Sequence, residues 1–97
     1  MSNNYSQKNV KLVRDVIPKE IIQKANQYDK IEDVPNLNKE TKIVEFLLFM
    51  TYFKYKNITI NDFLKNIGLY DVTIDNLEQF FGSFDYQTQF KMYQIME

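Results

Sequence analysis

The stretch ITINDFLKNIGLYDVTIDNLEQFFGSF, residues 58–84, decides how this chain folds, because it reads twice and nearly in register. One half starts at Thr59 and ends at Gly68, and the other starts at Thr73 and ends at Gly82. Threonine is a favourable helix N-cap, and glycine readily takes the left-handed conformation that follows a helix C-terminus. The stretch therefore predicts two short capped helices in a row.

Further helices are predicted on both sides of this stretch. Proline breaks a helix but suits the first turn of the next one, so Pro18 divides the N-terminal region into two segments. The helices expected outside the repeat are residues 6–17, a helix from 18 to about 28, residues 38–56, and residues 86–96 with Asp85 as N-cap. The segment VKLV, residues 10–13, also fits a short strand, and residues 29–37 are expected to be a loop.

These elements predict an all-α fold, a compact bundle of five or six short helices with a helix-turn-helix-like unit. With 97 residues, the chain is expected to be a single helical domain. Its N-terminal helices and loop would occupy residues 1–37, and the helix-turn-helix-like core would occupy residues 38–97.

The run IVEFLLFMTYF, residues 43–53, is apolar almost all round a helix and contains Glu45. Such a helix is buried on most sides, so it is expected to be the central helix or an oligomer interface. It is about half the length of roughly 20 residues that crosses a bilayer, so we predict no membrane association. The polar start MSNNYSQKNV gives no sign of a signal peptide, and a cytoplasmic location is expected.

The composition argues against most enzyme chemistry. The chain has no histidine and no cysteine, which removes the commonest general base, the thiolate nucleophile and the commonest metal ligands. No phosphate-cradling loop or nucleophile motif can be found. Asp71, Asp75 and Glu78 do not have the additional oxygen ligands nearby that a calcium site needs. We expect no catalytic residues, no cofactor and no metal.

Charge is distributed unevenly along the chain. Residues 1–56 carry ten basic and seven acidic side chains, whereas residues 57–97 carry two basic and six acidic side chains. No lysine or arginine occurs between Asn66 and Phe90. The C-terminal part is therefore expected to favour a partner with a basic surface.

The repeat also resembles a known DNA-binding motif, the helix-turn-helix of the phage-repressor type. The residues that carry the resemblance are Phe63, Ile67, Gly68, Leu69, Thr73, Ile74 and Leu77. The resemblance covers about residues 59–81 and implies that Ile74 and Leu77 pack the second helix on the first. Two features depart from the family: Leu64 stands where alanine or glycine is usual, and the second helix is acidic.

Our leading functional hypothesis is a small non-enzymatic module for protein–protein interaction. It would be regulatory or inhibitory, of the kind that phages, plasmids and other mobile elements encode. It would dock another protein through an acidic and tyrosine-rich surface made of Tyr70, Asp71, Asp75, Glu78, Gln79 and Tyr86. Electrostatic steering by the acids and anchoring by the tyrosines would supply the binding.

The acids in that set have a simpler interpretation as well. On one helix, Asp71, Asp75 and Glu78 would form a stripe at i, i+4 and i+7, and aspartates near a helix N-terminus are stabilised by its dipole. A merely solvated helix face would therefore look the same. The 15% aromatic content, by contrast, exceeds what a small core is expected to hide, so an exposed aromatic patch is predicted.

Two alternative functions stay open. The first is a DNA-binding transcriptional regulator, and its contact residues would be Lys65, Asn76, Gln79, Lys8, Lys11 and Arg14. Asn76 and Gln79 would read adenine, and the basic side chains would hold phosphates. The second alternative is a structural subunit that forms a homodimer or larger homo-oligomer by pairing residues 43–53 of each copy.

Overall fold

The computed structural model of the chain describes residues 11–34 and 43–97, and these form a compact all-α bundle. The α-helices are α1 (Lys19–Ala25), α2 (Ile43–Tyr55), α3 (Ile60–Asn66), α4 (Leu77–Gly82) and α5 (Tyr86–Met96). Two 3-10 turns, Val13–Val16 and Ile31–Asp33, precede α2. In the described ranges no strand forms, and the predicted all-α class with five short helices is confirmed.

Helix α2 is the centre of the bundle, as its apolar sequence predicts. The residues 47–52 in its middle are all buried, and α1, α4, α5 and both 3-10 turns pack against the helix. The predicted start at Asn38 lies outside the described residues, and α2 ends at Tyr55. None of the helices in the described part of the chain is long and apolar enough to cross a membrane.

The core joins apolar side chains from every helix. Its fully buried members with the largest volumes are Phe49, Phe63, Phe81, Leu47, Leu48, Ile60, Leu77 and Met96. Ile74, which precedes α4, is also buried and belongs to the same cluster. A second, polar layer of contacts ties helices together: the Tyr52 hydroxyl donates to Asn26 Oδ1 at 3.1 Å, and Lys24 pairs with Glu45 at 3.3 Å.

The C-terminus of α3 forms the glycine turn that the sequence predicts. Gly68 has a φ of +81°, in the left-handed region. The N–H of Leu69 donates to the carbonyl of Leu64 at 2.9 Å, and the N–H of Gly68 donates to the carbonyl of Lys65 at 3.1 Å. These two bonds define a Schellman motif, which satisfies carbonyls that the helix itself leaves without donors.

Replacing Gly68 with alanine is expected to lower the free energy of unfolding by about 1–2 kcal/mol, because an L side chain is strained at positive φ. A Cβ at this position would meet no atom within 4 Å, so the loss would be conformational and not steric. Urea unfolding measures the effect. Gly82→Ala is the matched control, since Gly82 is also uncrowded but has no positive φ, and it should be neutral or slightly stabilising. Equal losses in both variants would contradict the argument.

Helix α4 begins later than predicted. Thr73 is not its N-cap; the cap is Asn76, whose Oδ1 accepts the N–H of Gln79 at 2.9 Å. Asparagine is a better cap than threonine, and the β-branched run before Asn76 favours extended backbone. Residues 67–76 therefore connect α3 to α4, which is longer than the three- or four-residue turn of a helix-turn-helix. Membership of that family stays a prediction.

The predicted N-terminal helix is also wrong where the structure describes it. Leu12 forms an isolated antiparallel bridge with Thr59, and Val13–Val16 is a 3-10 turn. The N–H of Val13 donates to the carbonyl of Ile58 at 2.9 Å, and the N–H of Ile60 donates to the carbonyl of Lys11 at 2.8 Å. This pairing with a distant segment holds the backbone extended at Leu12, as the alternative strand interpretation expected for that residue.

Candidate functional site

The predicted partner-binding residues are all exposed, but they lie on three different parts of the chain. Their positions are the connection after α3 for Tyr70 and Asp71, the end of that connection for Asp75, the first turn of α4 for Glu78 and Gln79, and the start of α5 for Tyr86. They are thus not presented by one helix. The structure leaves their role as a partner-binding set a prediction.

The acidic stripe expected along one helix does not exist. Asp71 and Asp75 precede the first residue of α4, and Asp71 has a left-handed backbone with a φ of 62°. Only Glu78 lies in the first turn, where the helix dipole favours a carboxylate. The sequence spacing of the three acids matches one face of a helix, but α4 starts only after Asp71 and Asp75. No single helix therefore aligns the three side chains.

One side of α4 has a shallow depression of about 620 Å³, lined by Asn76, Glu78, Gln79, Gly82 and Ser83. Two of its polar side chains already serve the helix ends. Asn76 Oδ1 caps the N-terminus, and Ser83 Oγ donates to the carbonyl of Phe80 at 2.8 Å. The depression is wide open to solvent and is formed by one short helix, so it is a surface hollow and not a built ligand site.

The residues of the DNA-binding alternative are divided between separate segments. Lys11 and Arg14 lie beside the bridge to Thr59, where Arg14 Nη1 donates to Asn57 Oδ1 at 3.4 Å. Lys65 is exposed in the last turn of α3, and Lys8 lies outside the described residues. The Oδ1 atom of Asn76 that would accept from adenine is engaged as the α4 cap.

The exposed aromatic patch that the composition predicts lies on α5. Tyr86, Phe90 and Tyr93 follow each other at i, i+4 and i+7, and we call these three side chains the aromatic ladder. Adjacent rings are nearly parallel: Tyr86 and Phe90 have centroids 6.0 Å apart at 17°, and Phe90 and Tyr93 have centroids 6.1 Å apart at 15°. Tyr86 is 51% exposed and Phe90 is 48% exposed.

Phe90 and Tyr93 differ in how they meet the core. Their i, i+3 spacing in the sequence fits packing of both rings back on the core, but only Tyr93 packs there, at 5.0 Å from the ring of Phe46. The spacing in the sequence showed that the rings share a face. In the structure this face lies beside the buried stripe, which is formed by Gln89, Met92 and Met96. The sequence spacing alone does not distinguish the two faces.

Helix α5 holds the ladder firmly on the bundle. The buried Gln89 donates through Nε2 to the carbonyls of Phe81 at 3.0 Å and Phe84 at 3.1 Å. At the other end Lys54 Nζ donates to the carbonyl of Met96. A rigid element that presents exposed rings loses little conformational entropy when those rings are covered.

Carboxylates stand at both ends of the ladder. Asp85 is the N-cap of α5 and accepts the N–H of Thr88 at 2.8 Å, and Glu97 accepts the hydroxyl of Tyr93 at 3.2 Å. The hydrogen bonds from the Thr88 side chain and backbone lower the pKa of Asp85, with a smaller contribution from Lys91. Burial and the bond to Glu97 raise the pKa of Tyr93. At neutral pH the lowered pKa keeps the Asp85 carboxylate charged, and the raised pKa keeps the Tyr93 hydroxyl protonated.

The cap at Asp85 is expected to make the stability of the protein depend on pH. Its folded-state pKa lies below the ordinary 3.8, so the unfolded chain takes up a proton first as the pH falls. The cap therefore contributes stability above pH 3.8 that is lost as the pH falls through the folded-state pKa. Asp85→Asn retains a capping oxygen without titrating. Below pH 3.8 the Tm of the wild type should fall more steeply than that of this variant; parallel Tm curves would contradict the assignment.

Other exposed apolar side chains lie off the ladder. Tyr70 is 65% exposed on the connection after α3, and Ile95 is 52% exposed on α5. The sequence singles out Tyr70 and Tyr86 but not Phe90 and Ile95, because nothing in the local pattern separates an exposed apolar residue from a core one. In the described ranges no group of three or more acidic side chains is arranged to hold a metal ion.

Comparison with known proteins identifies no relative. No family model, no curated protein and no solved structure matches this chain. The surface of the chain itself is therefore the basis for a functional proposal.

Proposed function

We propose that the protein is a small non-enzymatic interaction module, regulatory or inhibitory, that binds another protein through the face of α5. The observation that carries this proposal is the aromatic ladder: two half-exposed rings and a third, held on a helix that is anchored at both ends. Aromatic side chains dominate the energetics of protein interfaces because they bury large areas with few rotatable bonds. Exposing them to water without a partner is unfavourable.

Charge supports a basic partner. The described residues 66–97 contain the acids Asp71, Asp75, Glu78, Asp85 and Glu97, against Lys91 as the only basic side chain in that range. Complementary charge raises the association rate and disfavours partners of the same sign. The predicted acidic and tyrosine-rich docking surface is thus retained in a changed form, centred on Tyr86 and extended along α5. We propose a cytoplasmic location for this interaction, with which a chain without cysteine is compatible.

The two alternatives have less support. DNA recognition through α4 would use a helix of six residues whose N-terminal side is acidic and whose Asn76 is occupied as a cap. Self-association through α2 would need apolar side chains that are already buried inside the chain, such as Leu47 and Phe49. Both remain hypotheses, and DNA binding is one outcome of the experiment below.

The test is affinity capture from a lysate of the organism that encodes the protein, with the wild type and the double variant Tyr86→Ser/Phe90→Ser as baits. We expect at least one protein that the wild type retains and the double variant loses. The purified partner should then bind the double variant about tenfold or more weakly, since exposed aromatic anchors typically contribute more than 1 kcal/mol each. Isothermal titration calorimetry measures the two affinities.

Ile95→Ser is the matched control, because it removes an exposed apolar side chain from the same helix but not from the ladder. It should bind the partner like the wild type. Equal loss in the control would show a general effect of polar substitution on α5. A different outcome would favour DNA binding. In that case no partner depends on the ladder, and the protein binds duplex DNA at micromolar concentration with steep salt dependence.

A further inference from the structure

We propose that the aromatic ladder binds an arginine-bearing basic segment of the partner, with guanidinium groups stacked on the rings and basic side chains paired with the acidic ends. This inference deepens the proposed function and rests on it. The proposed function requires only a basic partner surface, whereas this inference specifies a segment that contains arginine.

The rings of the ladder are accessible and suited to stacking a planar cation. The rings of Tyr86 and Phe90 are nearly parallel, and each residue is about half exposed to solvent. A cation within about 6 Å of an aromatic centroid is attracted by the ring, and the planar guanidinium of arginine adds stacking that an ammonium lacks. A cation–ring contact also occurs within the chain, where Lys56 Nζ lies 4.9 Å from the ring centroid of Tyr52.

The carboxylates at the two ends of α5 define the length and the charge of a matching segment. Asp85 and Glu97 lie at opposite ends of α5, about 18 Å apart along the helix axis at 1.5 Å per residue. An extended peptide covers this length with about five residues at 3.3 Å each. A segment with basic side chains at both ends and arginine between them therefore matches the ladder in length and in charge.

A second copy of the chain fits this face less well. In an antiparallel pairing of two α5 helices, Asp85 of one copy would meet Glu97 of the other at both ends. In a parallel pairing, each acid would meet its own counterpart. Like charges are brought together in either arrangement.

Nucleic acids and anionic lipid surfaces are also disfavoured. Proteins that stack bases on aromatic rings combine those rings with a positively charged groove that follows the phosphates. Here carboxylates flank the rings at both ends, and Lys91 is the one basic side chain on α5. The rings would stack a base, but the acids beside them would repel its phosphate.

The experiment uses the full chain and fluorescein-labelled peptides in fluorescence anisotropy titrations at low and moderate salt. The probes are a short peptide in which arginine alternates with alanine, the same peptide with lysine, and the same peptide with glutamate. We expect the arginine peptide to bind several-fold more tightly than the lysine peptide, and the glutamate peptide not to bind. Asp85→Asn/Glu97→Gln should weaken both basic peptides to a similar extent and reduce the salt dependence.

Tyr86→Ser/Phe90→Ser should weaken the arginine peptide about tenfold or more and remove most of the difference between the arginine and lysine peptides, while Ile95→Ser leaves both affinities unchanged. Circular dichroism confirms that each variant is folded. Equal affinity of the wild type for the arginine and lysine peptides, or no binding of either, would overturn the inference. So would a mass by light scattering that rises with concentration for the wild type and not for the ladder variant, which would make a second copy the occupant.

The two proposals fail in different ways. If a captured partner depends on the ladder but the arginine peptide does not bind, this inference is wrong and the proposed function stands. If the capture experiment finds no ladder-dependent partner and the peptide does not bind, both are wrong.

Discussion

Replacing Phe81 with alanine is expected to lower the free energy of unfolding by about 3–5 kcal/mol, a large fraction of the total for a domain of this size. Phe81 is fully buried, at 0% exposure, on a helix that packs against α2. The substitution removes the apolar surface that the ring buries and leaves a cavity. Because α4 has only six residues, it depends on this side chain more than on its own hydrogen bonds.

The measurement is urea unfolding followed by far-UV circular dichroism, with Phe80→Ala as the matched control. Phe80 is the adjacent residue on the same helix, it is half-buried, and its ring packs edge-on against Phe84 with centroids 4.9 Å apart. Its loss should cost about 1–2 kcal/mol. If the two variants are equally destabilised, burial of Phe81 does not anchor α4.

The second large effect is expected for Gln89→Leu, which should lower the free energy of unfolding by about 2–3 kcal/mol. Gln89 is buried, and its amide is the donor that connects α5 to the end of α4. Leucine preserves the approximate volume but removes both hydrogen bonds to the carbonyls of Phe81 and Phe84. A hydrogen bond contributes about 1 kcal/mol, and a partly buried carbonyl left without its donor adds a desolvation cost.

Gln87→Leu on the exposed side of the same helix is the control, and it should change stability by less than about 0.5 kcal/mol. Comparing the two leucine variants removes the difference in intrinsic helix propensity between glutamine and leucine. A similar small effect for both would mean that the carbonyls of Phe81 and Phe84 find other donors when Gln89 is absent.

Local sequence signals predicted much of the fold because their causes are local. Gly68 ends α3 as expected, since few other residues adopt a φ of +81° without strain. Thr59 and Asp85 cap α3 and α5 as expected, since a cap bond spans three residues. The apolar run from residue 43 to 53 placed α2 at the centre, because such a helix has no face suited to water.

The errors have causes of two kinds. The late start of α4 has a local cause in the Asn76 cap, whereas the burial of Ile74 ahead of α4 comes from the tertiary core and not from helix periodicity. The extended backbone at Leu12 depends on Thr59, which no local pattern connects to it. For the candidate site, the composition predicted an exposed aromatic patch, but the position of Phe90 outside the core depends on how α5 is rotated against α2.

The central position of α2 determines how cooperatively the chain unfolds. This one helix packs against α1, α4, α5 and both 3-10 turns. If α2 unfolds, all of these elements lose their main packing partner at once. The bundle should therefore unfold in a single cooperative transition. Thermal melts followed by tyrosine absorbance and by far-UV circular dichroism should coincide, and the calorimetric and van't Hoff enthalpies should agree.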